Sequence, residues 1–177
     1  MPLDLIDLFN KQPKKQRRQP SFHLGFTGTQ EGATDKQLTY FYKYVRDELN
    51  VDFFHHGDCR GADAQANHTI ERINQYYRDK RTTIRNQIKI IIHPPTNPSK
   101  RAFCKPPVFD AQPYETRKPR PYLDRNHDIV NESQLLIAIP STFAEELRSG
   151  TWATVRYAVK QGKPVLIIYP DGSTEKR

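Results

Sequence analysis

Two kinds of apolar pattern alternate along the chain, one typical of buried strands and one of amphipathic helices. Short apolar runs bounded by Gly, Pro or polar residues predict strands at 22–28, 51–57, 88–93, 134–140 and 164–170. Apolar residues three or four positions apart predict helices from an N-cap at Thr34 to Leu49, from Gly61 to about Tyr77, over 122–132 and from Gly150 to Gln161. We find no internal repeat.

The order of these elements predicts the fold class. Strands that alternate with helices favour a parallel sheet, and IKIIIH at 88–93 is typical of a parallel strand that is covered on both faces. Right-handed crossovers then place helices on both sides of the sheet. We expect an α/β protein, a Rossmann-like three-layer sandwich with a mainly parallel sheet of about five strands, formed as one domain by residues 21–177.

A proline-rich basic segment, residues 94–121, interrupts this pattern. Its eight prolines disfavour a long helix or a central strand, because proline lacks a backbone donor. Its charged residues are Lys100, Arg101, Lys105, Arg117, Lys118 and Arg120 against Asp110 and Glu115. A loop of this length within a domain is usually functional or disordered. We interpret it as a basic flap over a site or as a dimerisation arm.

The first twenty residues read as a flexible basic segment. Residues 11–18, KQPKKQRR, carry five cations, no acid and no interleaved aromatic residue. Such a run is a solvated tail or a contact for nucleic acid phosphates. The preceding LDLIDLF has the pattern of one or two amphipathic turns, which would dock on their own domain or on a neighbouring subunit. We expect a homo-oligomer, although the apolar stripe at 34–49 suits core packing as well as an interface.

Composition narrows the class of protein. The 177 residues include 28 Lys and Arg against 20 Asp and Glu, a net charge of +8. No apolar run approaches the roughly 20 residues of a membrane span, and the N-terminus lacks a signal-peptide pattern. We therefore expect a cytoplasmic protein without a membrane partner. Cys59 and Cys104 form no CxxC motif and are expected to be reduced. The adjacent His55 and His56 point to opposite faces of a strand, so no metal and no cofactor is expected.

Candidate chemistry follows the predicted strands, because ligands of open α/β sheets bind at the carboxyl ends of the strands. The candidate ligand-binding residues are Thr27, Gly28 and Thr29 in GFTGTQEG, Gly57, Asp58, Arg60, Gly61 and Asp63 in HHGDCRGAD, Arg125 and Asn126 in the helix at 122–132, and Ser149, Gly150 and Thr151 before the last helix. Free N–H groups and the positive dipole of a helix N-terminus favour an anion there. Each motif also has an explanation without a ligand: a plain turn for GFTGTQEG and a helix cap for Asp63 and Thr151.

These motifs in this order resemble the SLOG superfamily, a Rossmann-like group that includes DprA, the LOG enzymes and YspA-like proteins. The matching motifs are GFTGT at 25–29, HGDCRGADAQA at 56–66, DRNHDIV at 124–130, LLIAIP at 135–140, SGTWATVRYA at 149–158 and GKPVLII at 162–168. The resemblance covers about residues 22–170 and is closest to the YspA-like and DprA-like branches. It implies a sensor or ligand-binding module that holds a nucleotide or nucleotide-derived molecule at the strand ends.

The resemblance also implies two alternatives. LOG enzymes use an Arg and a Glu for N-glycosidic hydrolysis of a nucleoside monophosphate; Arg125 matches the Arg, but Thr154 stands where the Glu would be. A threonine cannot serve as that acid or base, so enzymatic activity stays open. The candidate catalytic residues are Arg125, Asp124, Glu145 and Glu146. The second alternative is single-stranded nucleic acid binding of the DprA type through the basic segments.

Overall fold

The computed structural model describes residues 20–80, 87–105 and 114–177. Within them the chain forms one seven-stranded sheet with α-helices on both faces. The strands are β1 (His23–Gly28), β2 (Phe53–His56), β3 (Lys89–Ile92), β4 (Tyr114–Thr116), β5 (Leu135–Ile139), β6 (Val165–Ile168) and β7 (Thr174–Lys176). The helices are α1 (Asp35–Lys43), α2 (Ala62–Asp79), α3 (Tyr122–Asn131) and α4 (Gly150–Lys160). A π-helical turn at Tyr44–Glu48 extends α1, and a 3-10 turn lies at Pro98–Lys100. The predicted α/β, Rossmann-like class is confirmed.

The strand order creates a switch point between β1 and β5. The order is β4-β3-β2-β1-β5-β6-β7, and all neighbours are parallel except β6 and β7. The chain thus builds outward from β1 to β4 and then returns to place β5 on the other side of β1. Open α/β sheets bind ligands at such a reversal, outside the carboxyl ends of the strands. In this chain that position follows Gly28 and Ile139, which are paired in the register.

The predicted number of strands was too small by two. β4 lies inside the proline-rich segment, and β7 follows the strand at 164–170 that was expected to be the last. Both are three-residue edge strands with exposed or half-buried side chains, so neither carries the apolar run that identified the other five. The edge position of β4 agrees with the rule that excludes proline from central strands.

Two apolar cores lie on opposite faces of the sheet. Leu24, Phe26 and the neighbouring strands' inward side chains pack beneath α1 and α2. Leu136 and Ala138 of β5 face the other way and pack beneath α3 and α4, together with Trp152. Alternate residues of one strand therefore serve different cores, as the two-residue period of a strand requires. Because both faces of the sheet are buried against helices, the helices that carry the site residues are held in place.

Several predictions concern residues outside the described ranges. The basic run at 11–18 and LDLIDLF lie there, as do residues 106–113 of the proline-rich segment. The extent of the domain therefore stays a prediction. In the ranges that the structure covers, no helix combines the length and the apolar character needed to cross a bilayer.

Candidate functional site

A cleft of about 310 Å³ lies at the switch point of the sheet. Nine of the thirteen predicted ligand-binding residues line it: Thr27, Gly28, Thr29, Asp63, Arg125, Asn126, Ser149, Gly150 and Thr151. The Thr29 N–H donates to the Ile139 carbonyl at 3.0 Å, which holds the loop after β1 against the end of β5. The three motifs thus meet at one rim of the sheet.

A second concavity, of about 620 Å³, is larger than the cleft. It is a groove between α1 and α2, with Leu38, Tyr42 and Arg72 among its lining residues. None of the predicted site residues lines it, and it lies between helices rather than at the strand ends. The smaller cleft is therefore the candidate site, because it combines the switch point with converging polar groups.

Arg125 is the buried cation of the cleft. Its side chain lies near the start of α3 and the residue is only 5% exposed. Nη2 donates to the Cys59 thiol at 2.9 Å, whereas Nη1 is 4.0 Å from Asp63 Oδ2. Nε has no hydrogen-bond partner, although a buried donor left unpaired costs about 1–3 kcal/mol. A guanidinium in this state lacks the close bidentate acceptor that normally satisfies it.

Asp63 is the carboxyl group nearest to Arg125 in this wall of the cleft. Its Oδ2 accepts the backbone N–H groups of Gly57 and Cys59, both at 3.1 Å, which ties the loop after β2 to the first turn of α2. Burial raises the pKa of Asp63 to about 6, with the nearby Arg125 acting in the opposite direction. The carboxyl group therefore titrates well above the usual range of an aspartate.

Gly57 and Gly61 shape the cleft without lining it. The Arg125 guanidinium lies over the Gly57 α-carbon, so that a Cβ at position 57 would overlap Nη1 and Cζ. Gly61 has a φ of +82°, and a Cβ there would overlap the Gln30 carbonyl. Glycine is thus required at both positions, at one for the close approach of a side chain and at the other for a left-handed backbone.

Asp58 and Arg60 also lie outside the lining residues. Asp58 is fully buried, and its carboxylate accepts from Arg101 Nε at 2.7 Å and from the Cys104 N–H at 2.8 Å. The Arg60 N–H donates to the Lys100 carbonyl at 2.9 Å, while its side chain is exposed. These contacts fasten part of the proline-rich segment beside the site. They also bring Lys100 to the cleft, as a basic flap requires.

The N-terminus of α4 forms another wall of the cleft. Ser149 is the N-cap, and its hydroxyl accepts the Trp152 N–H at 3.4 Å. A Cβ at Gly150 would meet nothing within 4 Å, so the backbone there is open to a ligand. The first N–H groups of a helix have no partner within the helix and attract anions. Arg148, just before the cap, also lines the cleft.

The candidate catalytic residues do not converge on one point. Thr154 is 2% exposed, and its hydroxyl donates to the Gly150 carbonyl and accepts from Asn126 Nδ2, both at 2.9 Å. Glu145 and Asp124 do not line the cleft. Hydrogen bonds from Arg156 and Arg177 lower the pKa of Glu145, and Asp124 is 3.8 Å from Arg120. Glu146 does line the cleft, as Asp63 does.

The sequence analysis missed several lining residues. They are Phe26, Gln30, Glu31, Cys59, Tyr122 and Ser141. Glu31 belongs to the motif GFTGTQEG, and its charged side chain next to Thr29 was the feature that could have identified it as a site residue. Lys100 belongs to the segment interpreted as a basic flap, and the long-range contacts of Asp58 and Arg60 bring it to the cleft.

Half of the cations of the proline-rich segment are ion-paired within the protein. Arg101 pairs with Asp58, Arg117 with Glu115 and Glu132, and Arg120 with Asp128, all at 2.6–2.7 Å. Ion-paired arginines have much of their charge compensated. The described part of the segment is therefore less basic towards an external partner than its composition indicates.

Comparisons with known proteins give a similarity of structure but none of sequence. No family model matches the chain, and no curated protein matches its sequence. The X-ray structure of TM1055, a target of the Northeast Structural Genomics Consortium, is similar with a TM-score of 0.48 and 12% sequence identity. The match covers 81% of this chain and 72% of that chain. A likeness of this kind concerns the chain fold alone.

Proposed function

We propose that this protein binds a nucleotide or nucleotide-derived molecule in the switch-point cleft, as a sensor or ligand-binding module. The observation that carries the proposal is Arg125, an arginine that is 95% buried and lines the cleft, and whose nearest carboxylate in the described residues, Asp63, is 4.0 Å away and so beyond hydrogen-bond distance. A phosphate oxygen is the acceptor that suits an arginine of this kind, because charge-assisted hydrogen bonds to phosphate are short and strong. A phosphate in the cleft would give the guanidinium the close charged acceptor that Asp63, at 4.0 Å, does not provide.

The N-terminus of α4 supplies the second half of the phosphate subsite. Gly150 and Thr151 present their backbone to the same cleft as Arg125, and the Ser149 side chain caps the helix. Main-chain N–H groups and a guanidinium that converge on one anion each contribute about 1.5–3 kcal/mol when the acceptor is charged. Two independent anion-attracting features therefore face one space, which distinguishes this site from a plain helix cap.

The remaining lining residues suit the uncharged part of a nucleotide. Glu31 and Glu146 are hydrogen-bond acceptors for ribose hydroxyl or base amino groups, while Lys100 and Arg148 add positive charge. The volume of about 310 Å³ is at the small end of the range for ligand pockets. The cleft therefore favours a mononucleotide or a molecule of similar size over a dinucleotide.

Calorimetry tests the proposal with a panel of mononucleotides, cyclic nucleotides and ADP-ribose derivatives. Trp152, the only tryptophan of the chain, follows Thr151 directly and gives a fluorescence signal in parallel. We expect micromolar binding by at least one compound, and Arg125→Ala should weaken it tenfold or more, about 1.4 kcal/mol. Arg72→Ala is the matched control, because Arg72 lies on α2 and lines the groove between α1 and α2 instead of the cleft. No binding across the panel, or equal affinity in Arg125→Ala, would overturn the proposal.

N-glycoside hydrolysis of a nucleoside monophosphate is the second candidate, and Asp63 favours it. A cleft-lining carboxyl group with a pKa of about 6 has the acidity that suits general acid catalysis near neutral pH. The reaction would transfer a proton to the leaving base while water adds to the ribose carbon. Chromatography of nucleoside monophosphates incubated with the protein tests it. Free base that depends on Asp63, and is lost in Asp63→Asn, would support hydrolysis; intact nucleotides would exclude it.

A further inference from the structure

A cluster of three histidines and one glutamate lies outside the residues that line the cleft. His23 begins β1, His55 lies in β2, His93 follows β3 and Glu132 follows α3. His55 and His93 are 0% and 2% exposed, whereas Glu132 is partly open to solvent. Buried imidazoles from separate strands thus meet a carboxylate that is reachable from outside.

The distances between their polar atoms are those of a metal-ligand set. His55 Nδ1 is 3.0 Å from His93 Nε2, a hydrogen bond whose proton a bound ion would displace, and 3.7 Å from Glu132 Oε2. One atom from each residue lies within 4.8 Å of the other two. Around a tetrahedral ion with bonds of about 2.0–2.2 Å, neighbouring ligand atoms are about 3.3–3.5 Å apart. The two measured separations bracket that value.

The hydrogen bonding around His55 fits a ligating imidazole. Its Nε2 is 2.9 Å from His23 Nδ1. When His55 donates from Nε2 to His23, the lone pair of Nδ1 faces His93 and Glu132. Metal-binding histidines generally fix their tautomer by such a bond from the other ring nitrogen.

Arg117 is the one described cation that holds the carboxylate of this cluster. Its Nη2 is 2.7 Å from Glu132 Oε2, the same oxygen that faces His55, and its Nη1 is 2.6 Å from Glu115. Glu115 also accepts from Lys89, so two cations are balanced by two carboxylates around the cluster. An ion at the cluster would compete with Arg117 for Glu132, while Glu115 remains as a partner for the displaced guanidinium.

We propose that His55, His93 and Glu132 bind a divalent first-row transition ion, with Zn²⁺ the ion whose ligand preferences fit best. Two imidazoles and one carboxylate are an established donor combination for Zn²⁺. The exposed side of Glu132 supplies the path by which the ion enters. The bound ion would link β2 and β3 to the end of α3, the helix that carries Arg125.

The test uses the full chain after treatment with a chelator and dialysis. Zn²⁺ is titrated by calorimetry and Co²⁺ by visible absorption, and the thermal midpoint is recorded with and without Zn²⁺. We expect one equivalent to bind, a visible Co²⁺ spectrum and a higher midpoint, because an ion that binds the folded state stabilises it. Glu132→Gln and His93→Asn should each weaken the affinity at least about tenfold. Arg117→Gln should tighten it, since the competing cation is gone.

His68→Asn is the matched control, because His68 is an exposed histidine beside Glu71 and outside the cluster. The affinity of His68→Asn for Zn²⁺ should equal that of the wild type. If circular dichroism shows that His93→Asn does not fold, Glu132→Gln alone tests the proposal, because Glu132 is partly exposed. The proposal is overturned by a wild-type chain without saturable binding, by unchanged affinity in Glu132→Gln, or by a loss in His68→Asn as large as that in the cluster variants.

Discussion

The Arg125 guanidinium occupies the space that any side chain at position 57 would need, directly over the Gly57 α-carbon. This contact joins the end of β2 to α3 and directs the guanidinium towards Asp63 and Cys59 at the wall of the cleft. Gly57 thus supports the proposed phosphate site through Arg125 and does not itself line the cleft. The relation gives a direct way to move Arg125 without deleting it.

Gly57→Ala should weaken nucleotide binding about as much as Arg125→Ala does, because the added methyl group displaces the guanidinium. In an Arg125→Ala background the same change should have little further effect, since the space is already empty. Calorimetry on the four proteins of this double-mutant cycle measures the coupling between the two positions. An additional loss of equal size in both backgrounds would show that the methyl group acts on something other than Arg125.

Asp63 makes the stability of the protein depend on pH in an unusual direction. Its folded-state pKa of about 6 lies above the ordinary value of 3.8, so the folded protein binds more protons than the unfolded chain between these pH values. Its contribution to the unfolding free energy therefore falls as pH rises from about 4 to about 6, by about 3 kcal/mol in all, and stays low above that range.

Asp63→Asn removes this dependence. The stability of the variant relative to the wild type should increase by up to about 3 kcal/mol between pH 4 and pH 7. Urea denaturation at a series of pH values gives the two curves, and the other titrating groups cancel in their difference. Parallel curves would mean that Asp63 titrates normally, in which case it is also unsuited to act as an acid near neutral pH.

Asp58 should matter for stability rather than for ligand contact. Asp58→Asn keeps the size of the side chain but places an amide donor or an uncharged oxygen against Arg101, and we expect a loss of about 2–3 kcal/mol in the unfolding free energy. Asp124→Asn is the control, because Asp124 is half exposed and 3.8 Å from its arginine partner. That change should cost less than about 0.5 kcal/mol. Equal midpoints for the two variants in urea would contradict the anchoring role of Asp58.

Nucleic acid binding, if present, should depend on the basic run at 11–18 rather than on the proline-rich segment. Three arginines of that segment are engaged in ion pairs, whereas the five cations of the run are close together in sequence. Replacing those five by Gln in the full chain should abolish salt-dependent binding of a single-stranded oligonucleotide. Nucleotide affinity should not change. If binding to the oligonucleotide still depends on salt concentration after the replacement, cations elsewhere in the chain make the contact.

Sequence patterns predicted the elements that bury a face and missed those that do not. The five central strands and the four helices carry apolar repeats, because each packs against one of the two cores. β4 and β7 have no such repeat, since edge strands are fixed mainly by pairing with a neighbour. Pairing partners depend on the strand order, which local patterns do not contain.

The same limit applies to the site. The motifs after β1 and before α4 were informative, since Thr27, Gly28, Thr29, Ser149, Gly150 and Thr151 all line the cleft. Asp58 and Asp63 look equivalent in the sequence, yet the left-handed backbone at Asp58, with a φ of +58°, turns its carboxylate to Arg101 instead of the cleft. His55 was correctly separated from His56, but its neighbour across the sheet is His93, and only the pairing of β2 with β3 brings the two together.

A crystal of the protein soaked in a mixture of nucleotides tests the central claim most directly. We predict density for a phosphate group in the switch-point cleft, with oxygens about 2.7–2.9 Å from the Arg125 guanidinium and within hydrogen-bond reach of the backbone N–H groups at the start of α4. A nucleotide bound elsewhere, for example in the groove between α1 and α2, or a cleft that holds no anion at saturating ligand, would contradict it.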